Sequence, residues 1–138
     1  MDKKGIILVG HGSSMPYNSE VVASLADQIR TTGSWDAVGY SFMNMNKPSI
    51  RDAIGDMCKD PSVTTIIMSP VFIAAGVHIK EDVPEILGLA PGETFAYREV
   101  DGVERRFIYA APFGPDGRLA TLIEERALEA VDACMPTE

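Results

Sequence analysis

The chain contains 138 residues, with a formal net charge of −8 and a hydrophobic fraction of 46%, which suits one globular domain with a full core. The acidic balance argues against a nucleic-acid partner, because phosphate contacts need basic patches. The sequence has neither the run of roughly 18 apolar residues that a membrane helix needs nor a signal-peptide cleavage pattern. We therefore expect a cytoplasmic protein that has no membrane partner.

Apolar runs alternate with helical patterns in the first half of the chain. Unbroken apolar runs are typical of strands buried on both faces, and they predict strands at residues 5–10, 37–43 and 63–68. Apolar residues at helical spacing predict a helix at 18–31 and a second helix that begins near Pro48.

The second half is predicted to contain one more strand and two more helices. Asp82 and Glu85 have the spacing of a helix start, and the polar residues 90–105 are interpreted as a hairpin or a flap. A fourth strand is predicted at 107–111 and a last helix at 117–133. Five apolar side chains of that helix are expected to face the core: Leu119, Leu122, Ile123, Leu128 and Val131.

This alternation predicts an α/β fold. Strands and helices in turn give a doubly wound, mainly parallel sheet of four strands, flanked by helices on both faces. No repeat or linker interrupts the chain, so residues 1–138 are predicted to form a single domain. Cys58 and Cys134 lie in predicted helices and are expected to be reduced, packed thiols.

The first candidate functional residue is His11, which follows the first strand and lies between Gly10 and Gly12. Glycines allow a tight turn and let a ligand approach the backbone closely. One alternative is a turn in which the imidazole is only a cap. A phosphohistidine phosphatase is disfavoured, because Gly10 stands where an arginine would hold phosphate.

His78 is the second candidate, in a glycine-containing loop beyond the third strand. Ligands of parallel α/β sheets bind beyond the carboxyl ends of the strands, so we expect His11 and His78 to converge at one edge. Two neutral imidazoles there can hold a divalent ion or accept protons. The alternative for His78 is a hydrogen bond to a backbone carbonyl, and Asp82 either orients an imidazole or caps a helix.

No local metal motif surrounds either histidine, since the sequence lacks His-x-x-x-His, a cysteine cluster and an acidic EF-hand loop. Two imidazoles leave a coordination shell incomplete. A transient metal ion, completed by substrate nitrogens or water, therefore fits better than structural zinc. Met43 and Met45, after the second strand, are interpreted as core or pocket wall rather than metal ligands.

Several stretches together resemble the small archaeal, short-form members of the class II sirohydrochlorin chelatases. The matching residues cover nearly the whole chain in the order of the family: 9–13 with Pro16 and Tyr17, 48–50, 70–73, 76–78 and 82–84. The resemblance implies a chelatase-like fold in which this chain corresponds to one half of the longer, two-unit relatives.

The resemblance also implies an activity, namely ATP-independent insertion of Co(II) or Ni(II) into sirohydrochlorin, toward cobalamin or, in methanogenesis, coenzyme F430. It assigns His11 as metal ligand and proton acceptor, with His78 as its partner. It implies a homodimer with the metal as substrate and no tightly bound cofactor. It places the pocket backbone at Ile73, Ala74, Ala75, Gly76 and Val77.

An acidic tetrapyrrole needs local attraction by this acidic protein. The turn of Gly12, Ser13 and Ser14 is a candidate carboxylate site. Asn44 and Lys47 stand where family members often carry glutamates, and Lys47 is expected to attract a substrate carboxylate, with Lys80 and Arg98 as further candidates. The main alternative is a non-catalytic tetrapyrrole or metal carrier that uses the same histidines.

Overall fold

The computed structural model describes residues 2–74, 84–89 and 93–134. Eight elements follow one another in these ranges: β1 (Lys3–Gly10), α1 (Pro16–Thr31), β2 (Ala37–Phe42), α2 (Ile50–Met57), β3 (Val63–Pro70), β4 (Phe95–Val100), β5 (Val103–Tyr109) and α3 (Gly117–Cys134). A single helical turn occupies residues 84–87. The expected helix start at Asp82 lies outside the described residues.

One mainly parallel sheet organises the fold, as predicted, but it has five strands rather than four. The order is β2-β1-β3-β5-β4, and only the β4–β5 pairing is antiparallel within this sheet. The additional strand comes from the 90–105 segment, of which the hairpin interpretation is confirmed. Asp101 and Gly102 turn the hairpin with φ of 52° and 76°, because a two-residue hairpin loop needs positive φ at its centre.

Alternation along the strands explains the unbroken apolar runs. Ile6 and Leu8 of β1 pack on the α1 side of the sheet with Val22 and Ala26, whereas Ile7 lies in the cluster on the α2 side. Helices on both faces bury both sets of side chains, so a strand between them is apolar at every position.

Two predicted boundaries shift for identifiable reasons. Helix α2 begins at Ile50, two residues after Pro48, because Ser49 is the N-cap and its Oγ accepts a hydrogen bond from the N–H of Asp52 at 3.1 Å. The strand expected at 107–111 begins earlier, at Val103, because the hairpin turn sets its start. Strand β3 ends at Pro70, two residues beyond the predicted strand at 63–68.

The last helix occupies the predicted residues, but the expectation that its apolar residues face the core is wrong. No residue of α3 is buried, and Leu122, Ile123, Leu128 and Val131 are exposed while Leu119 is half-buried. The helix does not return onto the sheet of its own chain. Cys134 at its end is exposed, contrary to the prediction of a packed thiol, whereas Cys58 is buried and free.

Arg105 is the main buried charge among the described residues, with 1% of its surface exposed. Its guanidinium donates to the carbonyls of Val63 at 2.7 Å and Cys58 at 2.9 Å, and also to those of Asp60 and Val100. The fork thereby joins the end of α2, the start of β3 and the hairpin. In the described part of the chain, no helix combines the length and apolar character needed to cross a bilayer.

Candidate functional site

The loops that follow β1 and β2 lie side by side at the carboxyl edge of the sheet. The N–H of Met43 donates to the carbonyl of Gly10 at 2.9 Å, and the N–H of Asn44 donates to that of His11 at 3.2 Å. The N–H of Ser13 donates to Oδ1 of Asn46 at 2.7 Å. These bonds fix the backbone on either side of His11.

Gly12 makes the closest approach between these two loops. Its φ is 93°, and a Cβ atom there would lie 1.8 Å from the carbonyl oxygen of Asn44. Only glycine accepts both the left-handed backbone and this contact. The chain therefore requires glycine here to bring the β2 loop against the residue after His11.

The loop after β3 supplies the contact to the imidazole. The N–H of Val71 donates to the carbonyl of Val9 at 2.8 Å, and the ring of His11 meets that of Phe72 edge-on, with centroids 4.1 Å apart and planes 63° apart. Phe72 is buried whereas His11 is exposed. One side of the imidazole is thus held by an aromatic ring, and the exposed remainder is accessible to a ligand.

The loop after β5 joins the same edge. The N–H of Phe113 donates to the carbonyl of Phe72 at 2.9 Å, and the N–H of Gly114 donates to that of Ile73 at 2.7 Å. Backbone hydrogen bonds therefore link the loops after β2, β1, β3 and β5 to one another. His11 lies in the loop after β1, between the loops after β2 and β3. Such a scaffold restricts the imidazole before any ligand arrives.

Large apolar side chains are exposed in these loops and at the start of α1. Between 44% and 75% of the surface of each is accessible, in the order Phe113, Met15, Tyr17, Ile73 and Met45. Met45 also has a φ of 62°, a backbone region that is strained for residues other than glycine. Exposed apolar groups in this number are typical of a binding surface.

Grooves on the described part of the chain include two of more than 600 Å³. One of about 650 Å³ runs from Ile73 to the first turns of α3, reaching Ile123, and is mainly apolar; it begins one residue from Phe72. A second, of about 710 Å³, is lined mainly by residues of β2 and α2, among them Tyr40 and Met57. Neither groove has a histidine or a cysteine in its described lining, but the first adjoins Phe72, whose ring contacts His11, so the first is the better candidate for chemistry that involves His11.

The structure gathers most of the described candidate residues at this edge. Gly12 and Ser13 are half-buried, and the exposed candidates are Ser14, Asn44, Lys47, Ile73 and Ala74. Ala75, Gly76, Val77 and His78 lie outside the described residues, as do Lys80 and Asp82. The convergence of His11 and His78 therefore stays a prediction.

Arg98 belongs to a different part of the molecule. It lies within β4, separated from β1 by β3 and β5, and its Nη1 donates to the carbonyl of Ile86 at 2.5 Å. This contact secures the helical turn at 84–87. Arg98 is thus not among the residues gathered around His11.

Phe72 and Asn46 contact the site, but the sequence analysis gave neither a role in it. A contact between residues 11 and 72 depends on how two loops meet. Asn46 is one of the two asparagines in the stretch Asn44-Met45-Asn46, and nothing in that pattern indicates which of them accepts the hydrogen bond from Ser13. Within the ranges that the structure describes, no three His, Cys, Asp or Glu side chains form a metal-binding group.

Comparison with known proteins identifies relatives of this chain. The CbiX family matches residues 5–130. A protein named sirohydrochlorin cobaltochelatase from Methanococcoides burtonii is 41% identical over 128 residues, which cover 93% of this chain and 97% of that relative. One of the same name from Methanothermobacter thermautotrophicus is 41% identical, with 94% of each chain covered.

Solved structures agree in fold. A putative cobalamin biosynthesis CbiX protein from Marinobacter aquaeolei superimposes with a TM-score of 0.63 at 27% identity, covering 94% of this chain and 98% of that one. The sirohydrochlorin chelatase SirB from Bacillus subtilis subspecies spizizenii, solved with cobalt, gives 0.73 at 23% identity over 92% of this chain and 50% of its own. From the family match and these near-full-length relatives, the chain belongs to the CbiX family.

Proposed function

We propose that this protein is a tetrapyrrole chelatase that inserts Co(II) into sirohydrochlorin without ATP. The single observation that carries the proposal is an exposed imidazole, His11, held against Phe72 at the carboxyl edge of the sheet. Relatives named sirohydrochlorin cobaltochelatase over nearly their full length support the choice of reaction. The product would serve cobalamin synthesis.

Insertion requires the protein to hold a divalent ion and to receive protons. When M(II) enters the free-base macrocycle, four ring nitrogens bind it and two pyrrole N–H bonds break, so two protons leave. We assign His11 and His78 as ligands of the incoming ion. As the metal passes to the ring, the nitrogen of His11 that released it becomes free to accept one of these protons; solvent takes the other.

A flat macrocycle needs an apolar surface, and the exposed side chains near His11 offer one. Tyr17, Met45 and Ile73 are each more than 60% exposed. Covering them with a ring removes apolar area from water on both partners, at about 25 cal/mol per Å². The groove beside Ile73 gives the periphery of the ring a place to extend.

The carboxylates of sirohydrochlorin need donors and positive charge. The N–H of Ser13 already donates to Asn46, and the Oγ of Ser13 accepts a hydrogen bond from the N–H of Met15. The hydroxyl hydrogen of Ser13 is therefore the group that we assign to bind a substrate carboxylate. Ser14 and Lys47 are exposed and complete the assigned carboxylate site. Lys47, in place of a family glutamate, adds attraction for an acidic substrate.

Nickel is a second substrate metal that this site would accept. Imidazole ligands suit both ions, and the first-row affinity order places Ni(II) slightly above Co(II). A nickel product would lead toward coenzyme F430.

Asn44 stands at the other position where family members often carry glutamate. The chain therefore lacks a carboxylate there that would otherwise assist metal delivery.

The remaining expectations concern the organisation of the protein. We propose a single chelatase domain spanning 1–138 that acts as a homodimer in the cytoplasm, with the metal ion as substrate and no tightly bound cofactor. This chain covers 50% of the SirB chain, which supports its correspondence to half of a longer chelatase.

Anaerobic incubation with sirohydrochlorin and Co(II) or Ni(II), followed by the absorbance change of the ring, tests the proposal. We expect multiple turnovers per protein and a fall of about 10²–10⁴-fold for His11→Ala. Added imidazole should partly restore the His11→Ala rate, because the exposed position lets a small base enter. Tight binding of finished product with no rate enhancement would favour the carrier alternative and overturn the enzyme.

A further inference from the structure

We propose that the carboxamide of Asn46 has two roles in the site: its oxygen holds the turn that follows His11, and its NH2 group binds a side-chain carboxylate of the tetrapyrrole. The first role makes Asn46 a positioning residue, and the second makes it a substrate-binding residue. The inference rests on the proposed function for the identity of the ligand. Its main test measures binding of the metal-free ring and not metal insertion, so its failure is distinguishable from failure of the chelatase proposal.

The orientation of the Asn46 carboxamide is fixed by the backbone of Ser13. The N–H of Ser13 donates to Oδ1 of Asn46 at 2.7 Å. In a carboxamide only the oxygen accepts a hydrogen bond, whereas the nitrogen carries two donors. The oxygen is therefore the end that binds the loop after β1, and Nδ2 is the end that this bond leaves for another partner.

The protein does not use the two N–H donors of Nδ2. Within residues 2–74, 84–89 and 93–134, no group accepts a hydrogen bond from them. The same residues contain no buried side-chain nitrogen or oxygen without a partner, so Nδ2 of the half-buried Asn46 retains contact with solvent. Such an NH2 group can bind a carboxylate oxygen, and a hydrogen bond to a charged acceptor is roughly twice as strong as one to a neutral acceptor.

A tight turn at Met45 brings Asn46 back to the loop after β1. The N–H of Asn46 donates to the carbonyl of Asn44 at 2.7 Å, and the φ of Met45 between them is 62°. This is a γ-turn of the rare and strained kind, and such a backbone persists only where its surroundings hold it. The N–H of Asn44 donates to the carbonyl of His11 at 3.2 Å, which holds one end of the turn. The bond between Ser13 and Asn46 holds the other end, so the Asn46 side chain restrains the residues around His11.

The two loops that meet here contain no acidic residue. The chain has 20 aspartates and glutamates, but none of them falls within residues 3–19 or 37–51. The ammonium group of Lys47 is exposed next to Asn46, and the hydroxyl hydrogen of Ser13 is assigned above to a substrate carboxylate. These loops therefore offer an acidic ligand an amide, a hydroxyl and a positive charge, in a protein whose net charge is −8.

Asn46→Asp separates the two roles of the carboxamide. Aspartate keeps the size of the side chain and an oxygen that accepts from the N–H of Ser13, but it lacks the NH2 group and adds a negative charge. The hold on the turn is therefore retained, whereas a substrate carboxylate loses two donors and is repelled. Asn46→Ala removes the oxygen as well, so it releases the turn. If the role of Asn46 were structural only, Asn46→Asp would bind the ring as the wild type does.

Titration of the full-length chain with metal-free sirohydrochlorin, followed anaerobically by the absorbance of the ring, gives the dissociation constant. We expect Asn46→Asp to raise it by at least about 10-fold, the loss of one hydrogen bond to a charged group, with an unchanged urea midpoint of unfolding. Gln28→Glu, an amide-to-acid change at an exposed position of α1, is the matched control and should change it by less than about 2-fold. Equal binding by Asn46→Asp and Gln28→Glu, or a urea midpoint of Asn46→Asp as low as that of Asn46→Ala, would overturn the inference.

The side-chain NH2 signals of isotope-labelled protein distinguish donation by Asn46 from simple repulsion by the introduced aspartate. The two Asn46 signals are identified by their disappearance in Asn46→Asp. We expect their exchange with water to slow several-fold when the metal-free ring binds, while the NH2 group of Gln28 exchanges as before. Unchanged exchange at Asn46 in the complex would overturn the assignment of its NH2 group to the substrate.

Insertion kinetics separate the two variants further. Once the ring saturates the protein, Asn46→Asp should insert Co(II) at the wild-type rate, because a contact made equally before and during insertion raises KM and leaves kcat unchanged. Asn46→Ala should also lower kcat, since it alone releases the turn beside His11. Equal loss of kcat in both variants would contradict the two separate roles. A chain that binds the ring with the expected response to Asn46→Asp, but inserts no metal, would support this inference and contradict the chelatase proposal.

Discussion

Gly12→Ala is the substitution that most directly perturbs the loop beside His11. The added Cβ would lie 1.8 Å from the carbonyl oxygen of Asn44, and contacts under 3.0 Å essentially never occur for real Cβ atoms. The two loops must therefore separate by about 1.2 Å or more. The obstacle is backbone, so no side-chain rotation relieves it.

The expected cost has two parts. Placing a side chain at a φ of 93° costs about 1–2 kcal/mol, and forcing extra volume into a packed contact costs about 1–3 kcal/mol. We expect Gly12→Ala to lower the free energy of unfolding by about 2–5 kcal/mol. Because a displacement of about 1 Å costs roughly 10²-fold in a positioned reaction, cobalt insertion should fall by a similar factor in the fraction that remains folded.

Two other glycines separate these contributions. Gly33 has a φ of 73°, and no atom lies within 4 Å of the position that an alanine Cβ would take. Gly33→Ala therefore measures the cost of the backbone conformation alone, which should lower the free energy of unfolding by about 1–2 kcal/mol. Gly55 lies within α2, also in open space and without a positive φ, so Gly55→Ala should stabilise by about 0.5–1 kcal/mol. Urea unfolding followed by the fluorescence of Trp35 gives all three values. Equal losses for Gly12→Ala and Gly33→Ala, with normal insertion by both, would refute the close-contact argument.

Three further substitutions test other parts of the structure. Arg105→Met leaves two buried and two part-buried carbonyls without their donor. Urea unfolding should therefore show that the free energy of unfolding falls by about 3–5 kcal/mol. The control, Arg106→Met at an exposed position, should lower it by about 0.5 kcal/mol or less. Hydrogen bonds from Ser62 and the nearby Lys3 lower the pKa of the Asp60 carboxyl. The resulting stabilisation is present above the unfolded pKa of about 3.9 and is lost as pH falls through the lowered pKa of the folded state. The melting-temperature advantage of wild type over Asp60→Asn should therefore shrink below about pH 4. Phe72→Leu keeps an apolar side chain but removes the ring beside His11, and should slow insertion by about 2- to 10-fold, whereas Phe107→Leu, in the core, should lower stability without that effect.

The strands at the centre of the sheet could be predicted because their burial is symmetrical. A strand such as β1, with Ile6 facing α1 and Ile7 facing α2, must be apolar where it is covered on both faces, and this pattern is visible in the sequence. The hairpin left a weaker signal, although the Asp-Gly pair at 101–102 is a favourable turn sequence. Its composition alone did not distinguish a hairpin from a flap.

The burial of α3 was predicted wrongly because helical periodicity identifies an apolar side but not the surface that covers it. Leu122 and Ile123 fit a core-facing stripe, yet the helix leaves the sheet after the anchored Gly114. The path of residues 110–116 decides this, and that path depends on contacts with the β3 loop, which the local sequence does not contain.

The location of His11 could be predicted, because a residue that directly follows a parallel strand lies at the carboxyl edge. Its contact with Phe72 depends on the meeting of loops sixty-one residues apart. Likewise, the bond between Ser13 and Asn46 changes which atom of Ser13 remains for a ligand. Residue type suggested where chemistry occurs, and packing determines which donors are still available.

X-ray absorption of Co(II) bound to the full-length protein tests most directly whether two imidazoles share one ion. We expect scattering from two imidazole rings in the wild type and from one in His11→Ala and in His78→Ala, with insertion reduced in both variants. A metal shell that both substitutions leave unchanged would contradict the assignment of His11 and His78 as the ligands of the substrate metal.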